Sequence, residues 1–306
     1  MPPLHHIPAS PFQRPRILIV GCGDIGTRIV KRLTHFSAYR VFALTSQQAR
    51  FPEIKAIGGI PILGNLDQAD SLWRLKGLAS TVIHLAPPQN TGSSDLRTRN
   101  LLRILAQGSP GVRRLIYVST TGVYGDCSGG DAVETRTANP QSERAKRRLD
   151  AEWQLRNWAL LHRVTLSILR VPGIYDANRL PIDRLKAGTP ALLPADDAYS
   201  NHVHADDLAR IVCAAMYYGK PQRVFNACDG AQTKMGDYFD QVADAFGFDR
   251  PPRLPADQVQ SLVSPMLWSF MRESRRVRND RLKELRVRLR YPTTEAFLKE
   301  LTSKSL

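Results

Sequence analysis

The chain has 306 residues, 42% hydrophobic and 23% charged, with a formal net charge of +15. That length holds one large α/β domain or a nucleotide-binding domain with a smaller second part, and with no run near about 18 apolar residues a helical membrane span is excluded. Cys22, Cys127, Cys213 and Cys228 are scattered and form no C-x-x-C pair, which argues against a disulfide framework or metal site and for a reducing, cytoplasmic compartment.

Residues 1–14 contain Pro2, Pro3, Pro8, Pro11 and the pair His5-His6, without a signal-peptide core, and read as a flexible tail. Ile17 to Val20 then form a wholly apolar run suited to a strand buried on both faces. Gly21, Gly23 and Gly26 follow as G-x-G-x-x-G, and Ile25, Ile29, Val30 and Leu33 recur at helical spacing, so the glycines stand where a strand turns into a helix. In that context Gly21 allows the tight turn, Gly23 lets a pyrophosphate approach the backbone, and Gly26 lets helix and strand pack together. Free amides at the helix start would face the phosphates.

Val41 to Leu44 form a second strand. Its end reads Thr45-Ser-Gln-Gln48, with no acid to grip both ribose hydroxyls, while Arg50 lies a few residues on; NADP is therefore at least as plausible as NAD. Further strands are predicted at Ile60 to Leu63, Val82 to Leu85 and Leu115 to Val118, with helical patterns such as Leu101, Leu102 and Leu105 between them. This alternation predicts an α/β fold with a Rossmann-type, doubly wound parallel sheet. Later, Asp206 or Asp207 is placed to cap a helix carrying Leu208, Ile211 and Val212, and Met266, Leu267, Phe270 and Met271 mark another helical stretch. Arg272 to Arg290 holds eight arginines and one lysine against Glu273, Asp280 and Glu284, read as a solvated helical face or the seat of a phosphate-bearing ligand.

The motifs, in order, are Gly21-Cys-Gly-Asp-Ile-Gly26, Gly64-Asn-Leu66, His84-Leu-Ala-Pro87, Val118-Ser-Thr-Thr-Gly-Val-Tyr-Gly125, Arg170-Val-Pro-Gly-Ile-Tyr175 and His202-Val-His-Ala-Asp-Asp-Leu-Ala209. From Arg16 onward the chain resembles the extended short-chain dehydrogenase/reductase superfamily, the NAD-dependent epimerase/dehydratase group. Its short glycine loop is most similar to an atypical branch of bacterial proteins described only as epimerase-like. The resemblance implies an NAD(P)-binding domain over residues 15–175 and 200–228, with 176–199 and 229–306 as a smaller substrate-side portion. The dinucleotide, NAD or NADP, would lie against Gly21, Gly23, Asp24, Ile25 and Gly26, then Thr45 and Arg50, Asn65 and Leu66, and Leu85, Ala86 and Pro87, reaching Thr120 and Arg148.

Such enzymes pair a Ser or Thr hydroxyl with a Tyr acid and a Lys four residues later, and on this resemblance the hydroxyl falls on Thr120. No Tyr occurs between 125 and 174. Matching the familiar Lys-Leu-x-x-Glu ending to Arg148-Leu-Asp-Ala-Glu152 puts Arg148 in the Lys place and Arg144 in the Tyr place; a slipped register offers Ser142 and Lys146 instead. Spaced i and i+4, Arg144 and Arg148 share one helical face. Guanidinium stays protonated to a pH of about 12 or above, so Arg144 cannot shuttle a proton, but it could bind a carboxylate or phosphate while Arg148 donates to the ribose. Tyr124, Tyr175, His202 and His204 are the candidate proton donors, and Arg275, Arg276 and Arg278 could meet a nucleotide-sugar pyrophosphate.

The function expected is an NAD(P)-dependent oxidoreductase or epimerase/dehydratase-like activity on a sugar-like or phosphorylated alcohol, with the alternative of a non-catalytic cofactor-binding sensor or scaffold. The expected partners are a small-molecule substrate, anionic or nucleotide-linked, and a second copy of the chain in a homodimer, not nucleic acid or membrane.

Overall fold

A computed structural model describes residues 14–35, 38–109 and 111–303. The expected tail at residues 1–14 lies outside the described residues except for Arg14. Its centre is a sheet of seven strands: β1 (Arg16–Val20), β2 (Arg40–Thr45), β3 (Ile60–Leu63), β4 (Thr81–His84), β5 (Arg114–Thr120), β6 (Thr165–Val171) and β7 (Arg223–Asn226). They lie in the order β3-β2-β1-β4-β5-β6-β7, and every neighbouring pair is parallel. The order reverses direction between β1 and β4, which opens a crevice beyond the carboxyl ends of those strands.

The apolar run of β1 shows why the sheet is covered on both faces. Ile17 and Ile19 pack into a cluster with Ile29, Val30 and Leu33 of α1 (Asp24–Thr34) and with Leu208, Ile211 and Val212 of a later helix. Leu18 and Val20 point the other way, into a cluster with Leu101, Leu102 and Leu105 of α2 (Leu96–Leu105) and with Ala151, Leu155 and Ala159 of α3 (Glu143–Leu161). Each of these valine, leucine and isoleucine side chains is at most 6% exposed, so each contributes roughly 1.5–3 kcal/mol by leaving water. The later helix is α4 (Ala205–Tyr218). Its cap is neither Asp206 nor Asp207: His204 Nδ1 accepts the Asp206 amide at 3.2 Å, while buried Asp207 accepts the amides of Arg290 and Tyr291, each at 2.8 Å.

A third apolar cluster joins Tyr175, Leu180 and Leu185 to Tyr238, Phe239 and Val242 of α5 (Met235–Phe246) and to Phe297 and Leu298 of α6 (Thr294–Ser303). The basic segment at 272–290 is not the helical face expected. Arg276–Val277 pairs as a short strand with Asp131–Ala132, and its arginines tie the segment down: Arg276 to Asp131 at 3.2 Å, Arg278 to Asp280 at 3.2 Å, and Arg290 to Glu300 at 2.6 Å. Part of its charge is thus spent on ion pairs that no helical periodicity announces. All four cysteines are buried with free thiols, and no helix among the described residues is long and apolar enough to cross a membrane.

Within the sheet, Arg170 of β6 meets Glu152 of α3 through two nitrogens, at 2.8 and 3.1 Å, and Ser119 donates to the same carboxylate at 2.6 Å. Both ion-pair partners are buried, so removing one strands the other charge without solvent. Glu152→Ala is expected to cost about 3–5 kcal/mol in urea denaturation.

Candidate cofactor and substrate site

The turn after β1 is built backbone on backbone. Gly21 sits at φ +93°, and a Cβ there would lie 2.6 Å from the Ala86 amide nitrogen; a Cβ on Gly26 would lie 2.8 Å from the Gly21 carbonyl oxygen. Gly23 differs: it is the N-cap of α1, no side chain caps the helix there, and a Cβ on it would meet nothing within 4 Å. The first amides of α1 therefore open onto free space, the arrangement that accepts an anion.

That space is a cavity of about 430 Å³ in the crevice between β1 and β4. The loop after β1 contributes Gly21, Gly23, Asp24, Ile25 and Gly26; the end of β2 contributes Thr45 and Arg50; the loop after β3 contributes Asn65 and Leu66; the loop after β4 contributes Leu85, Ala86 and Pro87. All twelve residues expected to line a dinucleotide on these four loops are thus brought together. Arg97 and Arg179 also line it and were not anticipated. Arg97 pairs with Asp67 at 2.7 Å and donates to the Pro87 carbonyl at 3.1 Å, tying two loops together. Arg179 pairs with Asp24 at 3.0 Å, and Arg28 holds Asp24 at 2.9 Å, Asp176 at 2.6 Å and Asp206 at 2.5 Å. Asp24 would repel phosphates at the helix start; these two guanidiniums offset its charge. Arg50 donates to the Cys22 carbonyl and grips Glu53 bidentately at 2.9 and 3.0 Å.

A second cavity, of about 490 Å³, opens beside the ends of β5 and β6. Thr120, Arg144 and Arg148 line it. The Thr120 hydroxyl oxygen accepts the Gly122 amide at 3.1 Å, which leaves its hydrogen free to donate. Arg148 donates to Val118 O at 2.9 Å, Tyr117 Oη at 3.3 Å and Ala86 O at 3.5 Å, so its guanidinium bridges the carboxyl ends of β5 and β4. Arg144 lies one turn earlier on α3, 4.4 Å over the Phe270 ring, and burial lowers its pKa against the attraction of Glu273. In the slipped register Ser142 caps α3 and lines the cavity, but Lys146 is paired outward with Glu143 at 2.7 Å.

Tyr124 is not at either cavity, contrary to expectation. Its hydroxyl donates to Asn226 Oδ1 at 2.7 Å beneath the sheet edge, the Arg170 guanidinium covers its ring at 4.7 Å, and burial raises its pKa. Tyr175 is likewise buried, its hydroxyl directed at Thr293 O, and His204 is occupied as a helix cap. Of the four proton-donor candidates, His202 alone lines the second cavity. Its Nε2 lies 3.1 Å from Ser200 Oγ, and burial pushes its pKa down to about 4, so the ring is neutral near pH 7. Arg275 faces this cavity with Glu273; Arg276 and Arg278 do not line it. Arg184, Tyr199 and Tyr238 complete the wall without a motif that marks them in the sequence.

The pattern of the NAD dependent epimerase/dehydratase family matches residues 17–228. The chain belongs to that family. Protein YeeZ of Escherichia coli K12 is 27% identical over 247 residues, which cover 77% of this chain and 85% of that protein. A functionally unknown conserved protein from Silicibacter pomeroyi superposes with a TM-score of 0.78 at 27% identity, over 95% of this chain and 99% of its own. UDP-glucose 4-epimerase from Thermotoga maritima, solved with UDP-glucose, shares the fold at a TM-score of 0.75 and 20% identity, over 94% of this chain and 97% of its own.

Two glycines separate packing from binding. Gly21→Ala is expected to lower stability by about 2–4 kcal/mol, because a left-handed turn and a backbone contact are both violated. Gly23→Ala should keep the wild-type melting temperature within a degree or two and weaken dinucleotide binding about tenfold or more, read by fluorescence titration.

Beneath the first cavity His84 is wholly buried, with Nε2 2.9 Å from Thr98 Oγ1; burial, aided by the Arg148 charge, pushes its pKa down to about 3 from 6.5. The unfolded chain takes up a proton there below pH 6.5 and the folded chain does not, so this contribution is whole above pH 6.5 and is lost as pH falls toward 3. Between pH 7 and 4.5 the wild type should lose roughly 2–3 kcal/mol more than His84→Gln in urea denaturation.

Proposed function

We propose that the chain binds NADP(H) in the crevice between β1 and β4 and acts as an oxidoreductase or epimerase/dehydratase-type enzyme on a sugar-like or phosphorylated alcohol held in the second cavity. The observation that carries this reading is the open, uncapped start of α1 over Gly23, walled by the ends of four successive strands. A nicotinamide cofactor supplies or accepts a hydride when bound there. The glycine loop would hold its diphosphate, and Arg148 would hold the ribose at the nicotinamide end with the guanidinium nitrogens not used by Val118 and Ala86. Thr120 would direct its free hydrogen to the substrate oxygen. With Arg144 in the place the family gives to Tyr, proton transfer falls to the neutral His202 through the Ser200 hydroxyl it contacts.

NADP is favoured over NAD by what ends β2: Thr45, Ser46 and Gln47 line the cavity with no carboxylate to hold two ribose hydroxyls, and Arg50 stands beside them. A 2′-phosphate would compete with Glu53 for that guanidinium. The second reading, a cofactor-binding sensor without turnover, is favoured by the permanent cation at Arg144.

Fluorescence titration with both reduced cofactors tests the proposal. NADPH is expected to bind about tenfold or more tightly than NADH, and Arg50→Gln should remove that difference while leaving NADH unchanged. Binding of neither cofactor would sink both readings.

A further inference from the structure

The second cavity carries more positive charge than its own residues neutralise. Four arginines line it, Arg144, Arg148, Arg184 and Arg275, and among the described lining residues Glu273 is the one carboxylate. Glu273 is already committed, bound by both terminal nitrogens of Arg275. Arg148 gives one terminal nitrogen to two carbonyls and a hydroxyl, which carry no countercharge.

Arg144 and Arg184 are the least compensated. Arg144 has the face of Phe270 beside it and no carboxylate in ion-pair range among the described residues. Arg184 stacks 4.1 Å over Phe239, gives Nη2 to Pro190 O at 3.0 Å, and keeps a buried Nε without a partner. Its nearest carboxylate influence, Asp197, is itself paired with Arg253 at 3.3 Å and accepts the Gly236 amide at 2.9 Å. Burial pulls the Arg184 pKa down to about 10, which still leaves it charged near pH 7.

The two guanidiniums contact consecutive residues of one helix, Pro265–Met271: Arg144 lies over the Phe270 ring and Arg184 against Met271 Sδ at 3.7 Å. Arg144 also stands at the reacting end of the cavity. A Cβ on Gly122 would touch both Thr120 Oγ1, at 3.5 Å, and the Ala145 side chain, at 3.8 Å, so the Thr120 turn packs against the start of α3 beside Arg144. Partly buried guanidiniums held by aromatic faces and left without countercharge are a cost to the fold unless a ligand supplies the negative charge.

We propose that a phosphate or carboxylate group of the ligand is bound between Arg144 and Arg184, beside Thr120, so that the anion sits at the reacting end of the cavity. This deepens the functional reading above, since it takes the second cavity as the substrate site. The ligand is then an alcohol or carbonyl compound with its oxyanion close to the reacting carbon, and Arg144 serves as an anchor where relatives place an acid.

The test titrates inorganic phosphate, and separately malonate, into the full chain against chloride at matched ionic strength, followed by calorimetry and thermal melting. The wild type should bind and be stabilised by at least one of the two, the tighter of which identifies the oxyanion. Arg144→Gln and Arg184→Gln should each weaken that binding about tenfold or more. Glu273→Gln should tighten it several-fold, by removing the competing carboxylate, a gain that mere damage to the fold would not produce. Arg50→Gln, in the other cavity, should leave it unchanged, and NADPH titration of the Arg144 variant reports whether it is folded. No binding of either anion by the wild type, unchanged binding in both arginine variants, or equal loss in Arg50→Gln would overturn the proposal. Anion binding that follows this pattern in a chain that binds no dinucleotide would uphold the anion site and remove the cofactor reading alone.

Discussion

The contact between Gly21 and the backbone of Ala86 fixes the geometry on which everything at the carboxyl edge of the sheet depends. Only a residue without a side chain, turned to φ +93°, lets the turn after β1 lie on the segment after β4. Once those backbones touch, α1 is aimed into the crevice and Gly26 can lie against the Gly21 carbonyl. The Ala86 carbonyl is then placed, with that of Val118, to receive Arg148. One close approach thus positions both the open helix start and the arginine that stands between the two cavities.

The two cavities treat charge in opposite ways. Around the first, cations and anions are matched: Arg97 with Asp67, Arg50 with Glu53, and Arg28 and Arg179 with Asp24, so the amides of α1 dominate the local field. Around the second, the positive charges outnumber the single carboxylate, and the aromatic faces of Phe270 and Phe239 hold two of them in place. A dinucleotide diphosphate suits the first arrangement because backbone donors fit it without a fixed charge. The second arrangement asks its ligand to bring the countercharge.

The sheet was legible because each strand is a short apolar run that ends in a turn, and the alternation of Ile17, Leu18, Ile19 and Val20 between two buried faces leaves little else for them to do. The first cavity was legible for the same reason: its walls are strand ends, adjacent in sequence to the runs that predict them. Arg97, Arg179 and Arg184 were not, because each reaches its cavity from a helix or loop whose local pattern says nothing of its direction. The basic segment misled because helical spacing cannot be told from a charge-rich extended stretch when a partner such as Asp131 is distant in the chain. Tyr124 misled differently: a phenol next to a site loop looks available until Asn226 and Arg170 are found to enclose it.

Arg28 has one further consequence. Its guanidinium holds carboxylates from three segments, Asp24 beside the glycine loop, Asp176 after the Gly173–Tyr175 strand, and Asp206 at the start of α4. The residues just before the last two, Gly173 and His202, border the second cavity. The glycine loop of the first cavity and two segments that run on from the border of the second are therefore held by one guanidinium. Removing that one guanidinium would leave three carboxylates from separate stretches of the chain without their shared cation.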